Sequence, residues 1–231
     1  IVSFQNGVTN GDVLQSLLPH SVMRGMVPFN IFYRGKGHFH CGTEGHLAME
    51  DKHGICELLL TLLSKAGLPV TVHDDLKSVQ YGKLILNLNN AVNALSGIPL
   101  KQQLANRDYR KVVAEVQKEA LAVLKAEGVT PARTGKVIPS LMPYILSLPD
   151  SLFKLVAAST LKIDPQARSS MYEDLELNRP TEIDFLNGEI AQKGEKHGVA
   201  TPVNSHIVKL MKRAEQNAKG SPHLSASQMM P

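Results

Sequence analysis

The sequence predicts a two-domain protein of mixed class: an α/β domain over residues 1–73, an all-helical domain over residues 74–215 and a flexible tail over residues 216–231. Short apolar runs with strand composition alternate with helical patterns only before residue 74. From there to about residue 215, apolar residues recur at steps of three and four, and no strand-like run appears. The residues after 219 show no periodicity, which is typical of a loose tail.

The first domain is predicted to alternate strands and helices. Its strands are short apolar runs, and its helices are amphipathic. In chain order we expect a strand over Ile1–Phe4, a helix over Asp12–Leu18, a strand over Ser21–Tyr33, a segment over Gly35–His46 that completes a hairpin, a helix over Ile55–Ala66 and a strand over Val70–His73.

Helices alone are predicted for the second domain. The longest is Asp108–Glu127, which Gly128 ends as a C-terminal glycine does. Prolines divide residues 131–149 into short helices and turns. The other predicted helices span Val79–Leu95, Leu152–Lys162, Thr181–His197 and Asn204–Ala214.

The predicted helix Val79–Leu95 carries a polar stripe beside its apolar face. Lys83, Asn87 and Asn90 lie three and four residues apart and therefore stand over one another. Burying such groups unpaired costs on the order of 1–3 kcal/mol per group. Something polar is expected to meet them, either another part of the protein or a ligand. A surface lysine beside capping amides is the plainer alternative.

A second mixture of polar and apolar residues occupies residues 169–188. The Asn-Arg-Pro segment at 178–180 should end one helix, and Thr181 can cap the next. Glu182 then falls in the first helical turn, where a carboxylate complements the helix dipole. The alternative is a carboxylate at the edge of a cleft.

Composition and charge argue against several classes of protein. The formal net charge is +4, the basic residues are scattered, and no motif supports nucleic-acid binding. A mildly basic cleft that binds an anionic small molecule fits this charge. No run is long and apolar enough to span a membrane, and residue 1 begins a strand rather than a signal peptide. The two cysteines argue against a disulfide scaffold and are typical of a reducing compartment.

A cluster of histidines and one cysteine raises the question of a metal. It lacks the paired C-x-x-C spacing of a tetrahedral zinc site, so we expect a polar hairpin and no metal. Cys41 and Cys56 are expected to be small buried residues and not nucleophiles. The cluster consists of His38, His40, Cys41, His46 and His53.

Four motifs follow one another along the chain: Gln5-Asn6-Gly7; Lys83-x-x-x-Asn87; Ser169-Ser170-Met171-x-x-Asp174; and Arg179-x-Thr181-Glu182-Ile183-Asp184-x-x-Asn187-Gly188. Together they resemble the ketopantoate reductase family (2-dehydropantoate 2-reductase). The resemblance extends from residue 1 to about residue 215, and the block from Thr181 to Gly188 is its most specific part.

The resemblance implies a partial Rossmann-type domain followed by an all-α domain similar to the C-terminal domain of 6-phosphogluconate dehydrogenase. In that family, NADPH gives hydride to ketopantoate, a 2-keto acid, to form pantoate for pantothenate biosynthesis. A cytoplasmic homodimer is expected. The G-x-G-x-x-G motif of dinucleotide-binding folds is absent from the 231 residues, and in the family it lies upstream of Asn6. We therefore expect upstream residues or a partner to cover an exposed sheet edge.

The resemblance also assigns roles to individual residues. Lys83 would be the general acid, since an ammonium group beside a developing alkoxide stabilises charge and supplies the proton. Glu182 would bind the substrate hydroxyl or orient the lysine, and Asn6 would lie near the nicotinamide and the substrate. The residues that would hold the substrate carboxylate and hydroxyls are Asn87, Asn90, Ser170 and Asp174. The family's second asparagine falls at Asn90 or Asn93.

Two classes of function stay open at this point. The first is a reductase of the ketopantoate reductase type, or a related reductase acting on another 2-keto acid. The second is a catalytically incomplete remnant that serves as a helical dimerisation or interaction domain. Cofactor binding by this chain separates the two.

Overall fold

A computed structural model of the chain describes residues 1–29, 31–33, 35–41, 45–51, 54, 56–135, 137–158 and 164–231. The chain divides into two compact units, Ile1–Lys83 and Leu84–Pro231. This division falls later than the expected boundary at residue 73, inside helix α3 (Lys77–Asn87). The reason is packing, because Leu76 and Val79 belong to the apolar core of the first unit, with Met26 and Ala48.

Strands and helices mix in the first unit, as the sequence predicts. The elements before α3 are β1 (Val2–Ser3), α1 (Asn10–Leu17), β2 (Met23–Met26), β3 (Ile31–Tyr33), β4 (Phe39–Cys41), β5 (Leu47–Glu50), α2 (Glu57–Lys65) and β6 (Val70–His73).

The strands form a mixed sheet and a separate hairpin. The sheet has the order β1-β2-β5-β6, in which β1/β2 and β5/β6 are parallel and β2/β5 are antiparallel. β3 and β4 form a hairpin, with Ile31 opposite Cys41, so the segment that follows Gly35 pairs with the preceding strand, as the sequence predicts. The single strand predicted over Ser21–Tyr33 is instead two, β2 and β3. Pro28 lies between them, and a proline has no N–H to donate to a strand ladder.

Helix α2 buries little of its apolar surface against the rest of the first unit. None of its residues is buried, and Leu58 and Leu62 are 73% and 54% exposed. The predicted amphipathic face is therefore only partly covered in this unit, where Leu59, Leu60 and Leu63 are half-buried. Cys56, directly before the helix, is buried as expected.

Helices dominate the second unit. After α3, the helices are α4 (Asn89–Ser96), α5 (Leu100–Ala105), α6 (Arg107–Ala126), α7 (Met142–Ser147), α8 (Asp150–Val156), α9 (Ser170–Glu176), α10 (Asn187–His197) and α11 (Pro202–Asn217). Short 3-10 helices lie at Pro139–Leu141, Ile183–Phe185 and Ala226–Met229. The predicted end of the helix Leu152–Lys162 lies outside the described residues. A small mixed sheet followed by helices confirms the predicted fold class.

The helix predicted over Val79–Leu95 is interrupted at Leu88, between α3 and α4. The buried side chain of Gln117 explains the break, since its Nε2 donates to Ile85 O at 3.0 Å. That carbonyl would accept from Asn89 N in an uninterrupted helix. A side chain inserted at this point of the hydrogen-bond ladder is a known cause of helix interruption.

Arg110, on α6, is only 1% exposed, and its contacts link α6 to the chain around α7 and α8. Its guanidinium group donates to three backbone carbonyls and to Asp150 Oδ1 at 2.7 Å. It also lies over the ring of Phe153, 4.2 Å from the centroid. A buried guanidinium is tolerated only when its donors are satisfied in this way.

The structure differs from the expectation of a loose tail. Ser221 and Met229 are buried, and Ser225 forms a capping box with Gln228 at the start of the last 3-10 helix. Short polar side chains and backbone groups make these contacts, so the segment shows no apolar periodicity. Among the residues described, no helix is both long and apolar enough to cross a bilayer.

Candidate active site

Lys83 lies near the end of the first unit, and two oxygens of described residues hold its amine. Its Nζ donates to Asn6 Oδ1 at 2.7 Å and to Val27 O at 2.6 Å. Asn6 follows strand β1, and the side chain of Asn10 donates to Asn6 O at 2.5 Å. The structure thus brings together the predicted lysine and the predicted cofactor-side asparagine, which are 77 positions apart in sequence.

This contact has a chemical consequence. An amine held at two oxygens has a fixed position, and a fixed donor can transfer a proton only to an atom placed beside it. Asn6 also lies just beyond the carboxyl end of β1, which is parallel to β2. Ligands of open α/β sheets bind at that end of the strands.

Asn87 and Asn90, in the second unit, are half-buried near the junction of α3 and α4. Within the described part of the chain, neither side-chain amide has a hydrogen-bond partner. Asn93 is different, because it is fully buried and both ends of its amide are engaged. It donates to Ile98 O at 2.9 Å and to Gln103 Oε1 at 2.8 Å, and it accepts from Ser169 N at 2.8 Å. Of the two alternatives, Asn90 is therefore the one whose amide is available to a ligand.

Ser169 and Ser170 also differ in role. Ser169 caps α9, because its Oγ accepts from Tyr172 N at 3.2 Å, and the same hydroxyl donates to Asn90 O at 3.0 Å. Ser170 is exposed and lies one helical turn before Asp174, on the same face of α9. Burial raises the pKa of the Asp174 carboxyl, and the positive charge of Arg179 opposes that rise. A half-buried carboxyl with a raised pKa is a common feature of functional sites and also of structural ones.

The helix predicted to start at Thr181 does not form as one element. Thr181 N and Oγ1 donate to Glu215 Oε1 at 2.8 and 2.7 Å, so a carboxylate from α11 holds this residue. Glu182 is half-buried and precedes the 3-10 helix Ile183–Phe185, and α10 begins only at Asn187.

Asp184 pairs with Lys212. Burial lowers the pKa of Lys212, but the hydrogen bond to Asp184 and the charge of Glu215 outweigh it, so the net shift is upward.

Asn187 and Gly188, in the most specific motif, hold the fold together. Asn187 is fully buried and donates to Asn204 Oδ1 at 3.1 Å. A Cβ on Gly188 would lie 3.2 Å from Ile183 O, a tight approach. Asn204 donates in turn to Glu119 Oε2 at 2.7 Å. Sequence reasoning does not identify Asn204 or Glu119, because their partners lie on other helices.

The histidine cluster lies only partly within the described residues. His38, His40 and His46 are described, whereas His53 and the side chain of Cys41 lie outside. Among the described residues, no group of three or more His, Cys, Asp or Glu side chains could hold a metal ion. Burial and the neighbouring Asp51 charge raise the pKa of the Cys56 thiol, against a smaller lowering by the amino terminus, which disfavours the reactive thiolate.

An α/β unit with parallel strand pairs, followed by a helical unit, places the chain among two-domain proteins with an all-helical C-terminal domain. Residues 75–215 match the family described as the ketopantoate reductase PanE/ApbA C-terminal domain. The chain therefore belongs to the ketopantoate reductase family.

Individual relatives agree with this assignment. A 2-dehydropantoate 2-reductase of Vibrio cholerae is 29% identical over 167 residues, which cover 70% of this chain and 49% of the relative. The chain thus spans about half the length of that protein. A solved structure of a PanE/ApbA family ketopantoate reductase from Ralstonia eutropha JMP134 is 29% identical, with a TM-score of 0.76, and the match covers 94% of this chain and 67% of that one. A structure of D-mandelate dehydrogenase with NADH and anilino(oxo)acetate shares the fold, with a TM-score of 0.75 at 22% identity, over 94% of this chain and 68% of that one.

Proposed function

We propose that the protein acts in the NADPH-dependent reduction of ketopantoate to pantoate. The observation that carries the proposal is the hydrogen bond between Lys83 and Asn6, made by the two residues that the family resemblance assigns to the reacting centre. Relatives named 2-dehydropantoate 2-reductase support the substrate.

The proposed chemistry is a hydride transfer balanced by a proton transfer. NADPH, when bound, supplies the hydride that adds to the ketone carbon. Lys83 donates a proton from Nζ to the ketone oxygen, so that an alcohol forms and the lysine is left neutral until solvent reprotonates it. Asn6 keeps Nζ in place through its Oδ1, and the Val27 carbonyl restricts the amine from a second side.

The substrate is proposed to be held by polar groups of the second unit. The amides of Asn87 and Asn90 can donate to the substrate carboxylate. Ser170 and Asp174 can bind its hydroxyl groups, and Asp174 is not expected to face the carboxylate because two like charges repel. Glu182 is proposed to bind a substrate hydroxyl.

The cofactor fits this chain only in part. Asn6, beyond the carboxyl end of a parallel strand, is suited to contact the nicotinamide. The G-x-G-x-x-G segment that would cradle the pyrophosphate is not among the 231 residues. We therefore propose that Asn6 supplies the nicotinamide side of the site and that residues outside this sequence hold the phosphates. We also propose a homodimer acting in the cytoplasm.

The test is NADPH oxidation with ketopantoate, with the wild-type chain compared with Lys83→Ala. Turnover is expected to fall by at least about 10²-fold, the contribution of general acid catalysis, while ketopantoate binding is retained. Lys77→Ala, earlier on α3, is the matched control and should keep its rate. Full activity of Lys83→Ala would show that the lysine is not the acid.

A second function is a catalytically incomplete reductase that serves as a dimerisation or interaction domain. The exposed leucines of α2 favour it, because apolar side chains at a surface are suited to contact another chain. Titration of the 231-residue chain with NADPH separates the two proposals. Binding supports the enzyme, whereas its absence restricts the enzyme proposal to a longer chain that carries the phosphate-binding segment.

A further inference from the structure

The segment 220–229, here called the C-terminal strap, packs against the helices that carry the proposed substrate-binding residues. It lies beyond residues 75–215, which match the family. Gly220 begins it with a positive φ of 71°, and Met229 ends it at 0% exposure. Its contacts reach α4, which carries Asn90, and α9, which carries Ser170 and Asp174.

The strap completes the C-terminal end of α4. The last carbonyls of a helix have no partner within the helix and need one from elsewhere. Ser221 Oγ donates to Ala94 O at 2.6 Å, and Leu224 N donates to Leu95 O at 2.8 Å. Gly97, with a φ of 69°, lets the chain turn there, and a Cβ at this position would lie 2.3 Å from His223 Nδ1. The strap therefore fits closely against the end of α4.

The same serine also reaches α9. Ser221 N donates to Glu176 Oε1 at 3.0 Å, at the last residue of that helix. The first residues of α9 are joined to α4 separately, through the two hydrogen bonds from Ser169 to Asn93 and Asn90. Because α4 and α9 are joined at both ends of α9, the spacing between their polar side chains is set at two points.

The strap is also anchored at its middle and near its far end. Tyr109 Oη, on α6, donates to Leu224 O at 2.9 Å. Nε2 of His206, on α11, lies 3.0 Å from Gln228 O. A strap fixed at both ends can hold Ser221 in one position between α4 and α9.

We propose that Ser221 is a positioning residue that sets the distance between Asn90 on α4 and Ser170 and Asp174 on α9. The proposal rests on the substrate-binding roles given above. Ser221 does not touch the substrate, and it acts through Ala94 O and Glu176. Its loss should weaken the binding of a 2-keto acid more than it lowers the stability of the fold.

The first test compares Ser221→Ala with Ser225→Ala in the 231-residue chain, with ketopantoate as the probe, in the presence and absence of NADPH. Ser225 is the matched control, because the hydrogen bonds of its hydroxyl in the described structure stay within the strap, at Ser227 and Gln228. Ser221→Ala should raise the ketopantoate Kd by roughly three- to tenfold, as loss of one hydrogen bond predicts, and Ser225→Ala should leave it unchanged. Equal effects of the two variants on the Kd would overturn the positioning role.

The second test uses Glu176, which keeps the proposal falsifiable if Ser221→Ala does not fold. Glu176→Ala removes the acceptor of the Ser221 amide, whereas Glu176→Gln retains an acceptor oxygen. The alanine variant should raise the Kd as Ser221→Ala does, and the glutamine variant should restore it. A wild-type chain that binds no ketopantoate refutes the proposed function itself, whereas normal binding by Glu176→Ala refutes only the role of the strap.

Discussion

Two asparagines on α4, three residues apart, differ in what their amides can do. Asn93 is fully buried, and each polar end of its side chain is engaged in a hydrogen bond. Asn90 is half-buried, and its side-chain amide has no partner among the described residues. Removing a buried and fully bonded amide affects the fold, whereas removing an available amide affects ligand binding. The two substitutions should therefore have separate effects.

Asn93→Ala should destabilise the protein by about 2–4 kcal/mol, because Ser169 N, Ile98 O and Gln103 Oε1 each lose a buried partner. Urea unfolding measures the change. Asn90→Ala is the control and should cost less than about 1 kcal/mol while weakening ketopantoate binding. If the two variants lost equal stability, the distinction between them would be wrong.

Asp174 should make stability depend on pH. Burial raises its pKa in the folded state, so folding favours the protonated carboxyl. Stability of the wild type then falls as pH rises from the ordinary value of about 3.9 through the raised folded value. Asp174→Asn should be more stable than the wild type at neutral pH, and the difference should vanish at about pH 3.

Unfolding midpoints in urea at both pH values test this prediction, with the exposed neighbour Glu173→Gln as control. A constant difference between Asp174→Asn and the wild type at all pH values would contradict it. A gain in stability together with weaker ketopantoate binding would be expected of a residue kept for function.

At the scale of elements, a carboxylate from another helix caps the N-terminus of α11. Val203 N and Asn204 N donate to the two oxygens of Glu119, at 2.8 and 2.9 Å. Within the described chain, the side chain of Thr201, the residue before the helix, makes no capping hydrogen bond. Glu119 on α6 therefore does what a capping side chain usually does, and its charge suits the positive end of the helix dipole.

Glu119→Ala should lower the free energy of unfolding by about 2 kcal/mol, because it leaves the first N–H groups of α11 and the Asn204 amide without that acceptor. Glu115→Ala, one turn earlier on the same helix, is the matched control. Glu115 forms an exposed ion pair with Lys118, so its loss should change stability by less than about 0.5 kcal/mol. Thermal and urea unfolding measure the stability that each variant loses, and equal losses of stability would contradict the capping role.

The elements that the sequence predicts best are those whose signals are local. Helix α6 has a clear apolar period and a C-terminal glycine, and its observed bounds of Arg107–Ala126 lie within one residue of the prediction. The sequence predicts continuous helices across Leu88 and from Thr181, and the structure interrupts both. Gln117 interrupts the first, and Glu215 holds the start of the second away from an α-helix. Neither partner is near in sequence, so no local pattern reveals it.

The candidate site follows the same division. The helical spacing of Lys83, Asn87 and Asn90 is visible in the sequence, and the family resemblance names Asn6. That Lys83 donates to Asn6 and Val27 requires the fold. The structural role of Asn93 is also visible only in the fold, because the sequence does not show which asparagine is buried and which is available.

At the scale of the whole molecule, the first unit exposes apolar side chains on its surface. Leu58 and Leu62 on α2 and Leu17 on α1 are all more than half exposed. Exposed leucines contribute little to the stability of the unit, but they favour association between chains. The sheet order also leaves β1 and β6 at the edges of the described sheet, and edge strands can pair with other chains.

The double variant Leu58→Gln, Leu62→Gln should raise the solubility limit of the 231-residue chain and change its unfolding free energy by less than about 1 kcal/mol. Light scattering and urea unfolding measure the two effects. Leu84→Gln is the contrast, since that leucine is buried and its substitution should destabilise the second unit. Unchanged scattering by the double variant would mean that these leucines do not drive association.

The strap has a consequence for how the protein is made. The hydrogen bond from Ser221 to Ala94 joins residues 127 positions apart. A ribosome releases the chain from its N-terminal end, so α4 emerges long before the stretch of chain that completes its last turn. The helical unit therefore cannot reach its final packing until residue 221 has left the ribosome, and a pause or premature stop before that residue would leave the end of α4 open to chaperones and proteases.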